Sequence, residues 1–382
     1  MFETMDAGNI TAVVLLDMSA AFDTVDHSIL TQTLRSVGVT GLALEWFQSY
    51  LASRSQYVKI NDSNSDPAAL TCGVPQGSVG GPLLFSLYLS RIRHIFERHD
   101  IQYHCYADDI QIFVSFSPTR TELTEAVKRL ELCIDDVKAW MERNGLKFND
   151  SKSEFILIGS KQMLSKVNSD TCYVRIGNSN IKPSNKVRNL GVVYDANLTF
   201  KDHISYVSHS VRFHLRNLGS IRRYLTRSAA EKLMHALISS RLDFCNSLFC
   251  SLPQKELSKL QRLQNCGARL LTVHTTPILR SLHWLPVEKR INFKILLLVY
   301  RTLRKFAPVY LQNTLHLHQP PRNLRSSNSL KLQVPRIKHN WGDRAFSYMG
   351  PKLWNGLPKS LREASSIDGF KKNLMTYIFN FN

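Results

Sequence analysis

Up to about residue 200 the sequence alternates short β-branched apolar runs with amphipathic stretches, and beyond that point almost every segment reads as helix. This change of texture restricts the chain to a mixed α+β part followed by a helical part. In the first part, residues 11–16 ("TAVVLL") read as a buried strand that stops at Asp17. Asp26 is placed to cap a helix over 27–37 that ends at Gly38. Residues 42–51 have helical periodicity, "SQYVKIN" alternates as a strand, and "TCGVPQGSVGGP" is a Gly- and Pro-rich loop that leaves Pro82 in the first turn of the next helix.

That helix is expected to run unbroken through "LLFSLYLSRIRHIFERH". Two strands then flank Asp108 and Asp109 in "YHCYADDIQIF". Residues 119–143 form a long amphipathic helix stopped near Asn144-Gly145, "SEFILIG" is a strand, and "VRNLGVVYD" is a hairpin arm interrupted by Gly191. Helices are expected over 200–224, 227–248, 254–272 and 286–305, followed by an irregular tail bearing Pro and Arg and a short helix at 367–379. There is no internal repeat and no low-complexity tract.

Composition narrows the function. With 43% hydrophobic and 21% charged residues, 382 residues suit a globular protein of two or three domains. No apolar run approaches the ~20 residues that span a bilayer. The start, "MFETMDAGNITAVV", lacks a secretory pattern. Seven scattered cysteines, an odd number, suit reduced intracellular thiols. A zinc site built from Cys245, Cys250, Cys266 and His235 lacks a C-x2-C pair and lies in helical sequence, which disfavours it. Charge is uneven: residues 1–150 hold 12 Lys+Arg against 19 Asp+Glu, and the remainder holds 37 against 11. Such a basic half suits a polyanion, above all a nucleic acid, because phosphate neutralisation releases counterions.

An Asp-Asp pair by itself is best explained as a solvated turn. Asp17, at the end of an apolar strand 91 residues earlier, changes that reading. Carboxylates at the ends of neighbouring strands can converge on two cations, as two-metal phosphoryl transfer requires, and carboxylate oxygens suit Mg²⁺. Cations would also offset the repulsion within the pair. Phe22, five residues past Asp17, either packs in the core or lies under a nucleotide sugar. Gln76 is either loop polarity or a hydrogen-bonding group for a nucleotide or template strand. Gly73 and Gly77 would let backbone approach that strand.

The stretches "LLDMSAAFDTVDH", "GVPQGSVGGPLLFSLY", "YADDIQIF", "WMERNGLKFNDSKSEFILIG" and "VRNLGVVYDANLTFKDHI" follow one another in the order of reverse-transcriptase motifs A to E. The chain closely resembles the reverse transcriptase of non-LTR (LINE-type) retrotransposons. The likeness continues through "AEKLMHALISSRLDFCNSL", "SLHWLPVEKRINFKILLLVYRTL" and "RAFSYMGPKLWNGLP" and so covers nearly the whole chain. A group II intron-like maturase shares the expected fold but fits the "SLHWLP" region poorly.

The resemblance implies an α+β fold: a right-hand polymerase palm (antiparallel sheet backed by helices) over 1–199, a helical thumb over 200–275, and a basic C-terminal extension over 276–382. It implies an RNA-directed DNA polymerase that joins deoxynucleotides to a primer 3′-hydroxyl with two Mg²⁺, or Mn²⁺ in their place. Its partners would be an RNA template, a DNA primer and deoxynucleoside triphosphates, with no membrane. Asp17, Asp108 and Asp109 match the metal-binding triad, and Lys152 matches the lysine that protonates the departing pyrophosphate. Phe22 matches the sugar-selecting gate, Gln76 and Gly77 the nucleotide and template contact, and Tyr106 the aromatic near the primer end. Leu190 and Gly191 match the hairpin that supports the primer. The basic helices after 200 would grip duplex backbone without reading its sequence. Target-primed copying would imply the nucleus, although the sequence holds no decisive nuclear signal.

Departures from the family pattern qualify these expectations. In the family an endonuclease domain and then the fingers normally precede motif A, and this sequence begins only shortly before Asp17. Fingers and endonuclease would therefore have to come from sequence outside it. Gly80 stands where a bulky apolar residue is usual, "LYLSRIRHIF" is an atypical variant, and 272–282 is shorter than usual. These features suit a truncated or decayed copy, whose alternative role is that of a catalytically inactive, nucleic-acid-binding remnant.

Overall fold

The computed structural model describes residues 1–167, 172–271, 279, 282, 284–319 and 330–380. The chain divides into two compact units, one of residues 8–190 and the other of residues 191–382 together with 1–7. The first combines helices with antiparallel strands, the second is mainly helical, and the whole is α+β. The expected boundary at 275/276 and most of the 272–282 stretch lie outside the described residues.

The first unit is organised by a four-stranded antiparallel sheet in the order Glu154–Ile158, Ile10–Leu16, Asp109–Phe116, Gln102–Tyr106. Ile10, Ala12, Val14 and Leu16 are all buried, and so are Thr11 and Val13 on the opposite face. Burial on both faces explains why this central strand reads as a continuous apolar run rather than an alternating one. The helix Arg120–Arg143 backs the sheet with Leu123, Ala126, Leu130, Cys133, Ile134, Val137 and Met141, a three-and-four spacing that makes one apolar stripe. Thr119 caps its start by accepting from the Glu122 N–H, and Gly145 at φ 66 turns the chain beyond Asn144. Asp26 caps His27–Ser36 as expected, with Oδ1 accepting from the Ser28 and Ile29 N–H groups.

Three expected elements differ. The helix through 83–99 is broken into Gly81–Leu89, a 3-10 turn at Ser90–Ile92, and Arg93–Arg98. The Ser90 hydroxyl donates to the Leu87 carbonyl three residues back, and such local bonding tightens a turn. "SQYVKIN" is not one strand. Arg54–Gln56 pairs with Ala68–Leu70, while Lys59–Ile60 pairs with Ser63–Asn64 around Asn61 at φ 53. The helix expected over 227–248 runs Arg227–Met234, takes a π-helical turn at His235–Ser239, and stops after Ser240–Asp243, before Cys245 at φ 49.

The second unit is helical around Lys201–Ile221, Gln254–Leu271, Val287–Leu303 and Ile367–Asn380. Its irregular joints are held by buried and half-buried charge. Asp195 accepts from the Asn197, Thr199 and Phe200 N–H groups, which lets Leu198 and Phe200 take positive φ ahead of the first of these helices. The Arg344 guanidinium donates to the Leu198 and Leu248 carbonyls and lies over the Phe2 ring, 4.4 Å from its centroid. Burial pushes Arg344 down to about 10, with Asp195 and Cys250 acting in the opposite sense. The Asp6 carboxylate accepts from the Lys338, His339 and Gly342 N–H groups, so Met1–Ala7 is an integral part of this unit.

Candidate active site

Sheet register gathers the acidic residues. Leu16 lies opposite Ile110, so one further step along the antiparallel ladder sets Asp17 against Asp109. Tyr106 pairs with Asp109, which leaves Ala107 and Asp108 as a two-residue hairpin loop. Ala107 takes φ 51, a region that L-residues other than Asn and Asp rarely occupy. Expected as a pair between strands, the two aspartates divide: Asp108 is in the loop and Asp109 opens the strand.

The electrostatics match that geometry. The Asp109 carboxyl is pushed up by burial first, then by the neighbouring charges of Asp108 and Asp17. Asp17 Oδ2 is buried and accepts no hydrogen bond, and Lys152 Nζ stands 3.7 Å from it. Lys152 is brought there because Met18–Ser19 pairs with Lys147–Phe148 and the Asn149 N–H donates to the Asp17 carbonyl. A carboxylate oxygen withdrawn from water without a donor, beside two like charges, is stabilised by positive charge, and the Lys152 ammonium supplies some of it. Hard oxygen donors suit Mg²⁺, which keeps waters and takes further ligands from phosphates. Among the described residues no three His, Cys, Asp or Glu side chains already converge as an ion cage, at the aspartates or at the cysteines. The seven cysteines are free thiols.

The motif B loop is next to the motif A segment. Phe22 stacks on Phe85, with ring centroids 4.5 Å apart and planes at 22°. Gln76 Nε2 donates to Asp23 Oδ1 at 2.9 Å. Gly73 has a different use from the one expected of it. It is buried at φ 88, and a Cβ there would sit 2.8 Å from the Asp23 carbonyl, so its bareness serves the chain's own packing. Gly77, at φ 78, is exposed with nothing within 4 Å of a Cβ. Gly80 also has open space around it, at the start of the Gly81–Leu89 helix.

Tyr106 is 68% exposed beside the acidic group. Leu190 at φ 44 and Gly191 at φ 79 turn the chain at the junction of the two units. Sequence reasoning did not find Asp23, His27 or Phe85. Asp23 and His27 lie within the "AAFDTVDH" stretch, but no spacing rule distinguishes a solvated Asp from one that holds a glutamine 53 residues away.

The family model of reverse transcriptase (RNA-dependent DNA polymerase) matches residues 3–194, half of the chain, and that span includes all three aspartates. The probable RNA-directed DNA polymerase from transposon BS of Drosophila melanogaster is 26% identical over 298 residues, which cover 73% of this chain and 31% of that protein. The RNA-directed DNA polymerase from mobile element jockey of Drosophila funebris is 23% identical over 270 residues, 69% of this chain and 28% of that protein. The chain thus spans under a third of the length of these relatives. A solved telomerase from Candida tropicalis, in complex with the TWJ fragment of telomeric RNA, aligns at a TM-score of 0.37 and 12% identity over 74% of this chain and 51% of that one. No helix among the described residues is long and apolar enough to cross a membrane. By the match that spans its acidic strand ends, the chain belongs to the reverse transcriptase (RNA-dependent DNA polymerase) family and is related to the polymerases of non-LTR retrotransposons.

Proposed function

We propose that the chain is the catalytic part of an RNA-directed DNA polymerase, adding deoxynucleotides to a DNA primer on an RNA template. The observation that carries this reading is the ladder that ends with Leu16 opposite Ile110, which brings Asp17 and Asp108 near enough to Asp109 for their charges to push its carboxyl up. Residues 1–199 serve as a right-hand palm, 200–275 as the thumb, and 276–382 as a basic extension. Asp17, Asp108 and Asp109 would hold two Mg²⁺, with Mn²⁺ able to replace them. Bound there, such ions would supply the charge that lowers the pKa of the primer 3′-hydroxyl and offsets that of the leaving pyrophosphate.

The remaining roles fall to side chains around that group. Lys152, beside Asp17, donates a proton to the departing pyrophosphate. Phe22, braced by Phe85, lies under the nucleotide sugar and excludes a 2′-hydroxyl. Gln76 and Gly77 border the nucleotide and template, Tyr106 the primer end, and Leu190–Gly191 support the primer strand. The positively charged helical part holds duplex backbone, so affinity for duplex falls steeply as salt rises.

Primer extension on an RNA template with Mg²⁺, comparing this chain with Asp108→Asn, tests the assignment. Extension by the chain and its loss in the variant is the expected result. Equal incorporation by both would sink the catalytic reading.

A further inference from the structure

The motif A segment and the motif B loop are joined by several hydrogen bonds. The Gly73 N–H donates to the Val25 carbonyl and the Val74 N–H to the Phe22 carbonyl, both at 2.8 Å. The Cys72 thiol donates to the Asp23 carbonyl at 3.3 Å. His27 Nε2 lies 2.8 Å from the Gly73 carbonyl, and since a carbonyl only accepts, that nitrogen carries the proton. Asp23 Oδ1 accepts from Gln76 Nε2. Phe22 is therefore fixed twice, by its ring on Phe85 and by its backbone on Val74.

Asp23 and Gln76 are both exposed. A solvated hydrogen bond between two exposed side chains contributes little to stability, so its value lies in orientation. The bond aims the Gln76 amide, and the imidazole bond sets the height of the loop that carries it.

We propose that Asp23 and His27 are positioning residues: they lock the 72–77 loop to the Phe22 segment and thereby fix the pocket that distinguishes a deoxyribose from a ribose. This rests on the polymerase reading above. Asp23 acts through Gln76, and His27 through the Gly73 carbonyl.

Two measurements on the full chain test the proposal. The first is amide hydrogen exchange over 72–77 in Asp23→Ala, Asp23→Asn and His27→Ala, with the strand Ile10–Leu16 as internal control. The alanine variants should exchange about ten-fold faster in the loop and unchanged in the strand, while Asp23→Asn, which keeps an acceptor oxygen, stays close to the parent. The second is the deoxy-to-ribonucleotide ratio of kcat/KM in primer extension. It should fall about ten-fold in Asp23→Ala and be restored in Asp23→Asn, and the pair Asp23→Ala/Gln76→Ala should be no worse than Gln76→Ala alone.

Unchanged loop exchange in both alanine variants would overturn the proposal. So would a loosened loop with an unaltered ratio in a chain that polymerises, which would leave the polymerase reading intact. A parent chain that incorporates no nucleotide would instead remove that reading and the sugar selection with it, and the exchange data would decide the loop lock alone.

Discussion

Asp109 in the first unit and Asp6 in the second are carboxylates treated in opposite ways. Burial raises both, but Asp6 receives three backbone N–H donors and ends below the usual carboxylate range, while Asp109 faces Asp108 and Asp17 and ends above it. Gly342 lets the Asp6 carboxylate come that close, since a Cβ there would lie 2.9 Å from Asp6 Cγ. One acid is satisfied by its own chain and serves the fold. The other lies beside two like charges, a strain of the kind that marks functional sites more often than structural buried charges. The units differ in overall charge as well. Residues 8–190 hold 19 basic and 19 acidic side chains, and the second unit holds 30 and 11, so the excess of +19 belongs entirely to the helical unit.

The largest effect should come from removing the charge crowded by its two acidic neighbours. Asp109→Asn should lower primer extension by on the order of 100-fold or more. It should also leave the urea midpoint of the chain unchanged or slightly higher, because it relieves repulsion from Asp108 and Asp17. A clear fall in that midpoint would show that Asp109 serves the fold, and the contrast with Asp6 would disappear.

Asp6→Ala should behave in the opposite way, costing about 2–4 kcal/mol by stranding three N–H donors, as read by urea denaturation. Its pH dependence has a definite sign. With its folded pKa below the unfolded value of about 3.9, the Asp6 contribution is fully present above that value and is lost as pH falls through the folded pKa. Asp6→Asn should flatten this part of the acid limb, and an identical acid limb in parent and variant would count against the three-donor account.

Arg344→Lys keeps the charge but gives up the fork that reaches two carbonyls and the plane that lies over Phe2, so it should cost about 2 kcal/mol by thermal unfolding. The smallest effect is expected at Tyr88, whose hydroxyl donates to the Asn144 carbonyl and accepts from the Asp26 N–H in the first unit. Tyr88→Phe should cost about 1 kcal/mol in the same measurement, without changing the ratio of deoxy- to ribonucleotide incorporation.

Much of this was written locally. The apolar run ending at Asp17, the Asp26 and Thr119 caps, the stripe on Arg120–Arg143 and the order of the motif stretches are short-range patterns, and chain physics over one or two turns is enough to read them. Those patterns determined an α+β part before a helical part, and which carboxylates to watch. Only tertiary structure brought Asp17 beside Asp109, because strand register is a choice among pairings 94 or more residues apart. It alone gave Gly73 to the Asp23 backbone, Gln76 to the Asp23 side chain, and Asp6 to a loop 332 residues away. Hydrogen bonds between distant segments have no period and no spacing rule, so they become visible only when the fold brings their partners together.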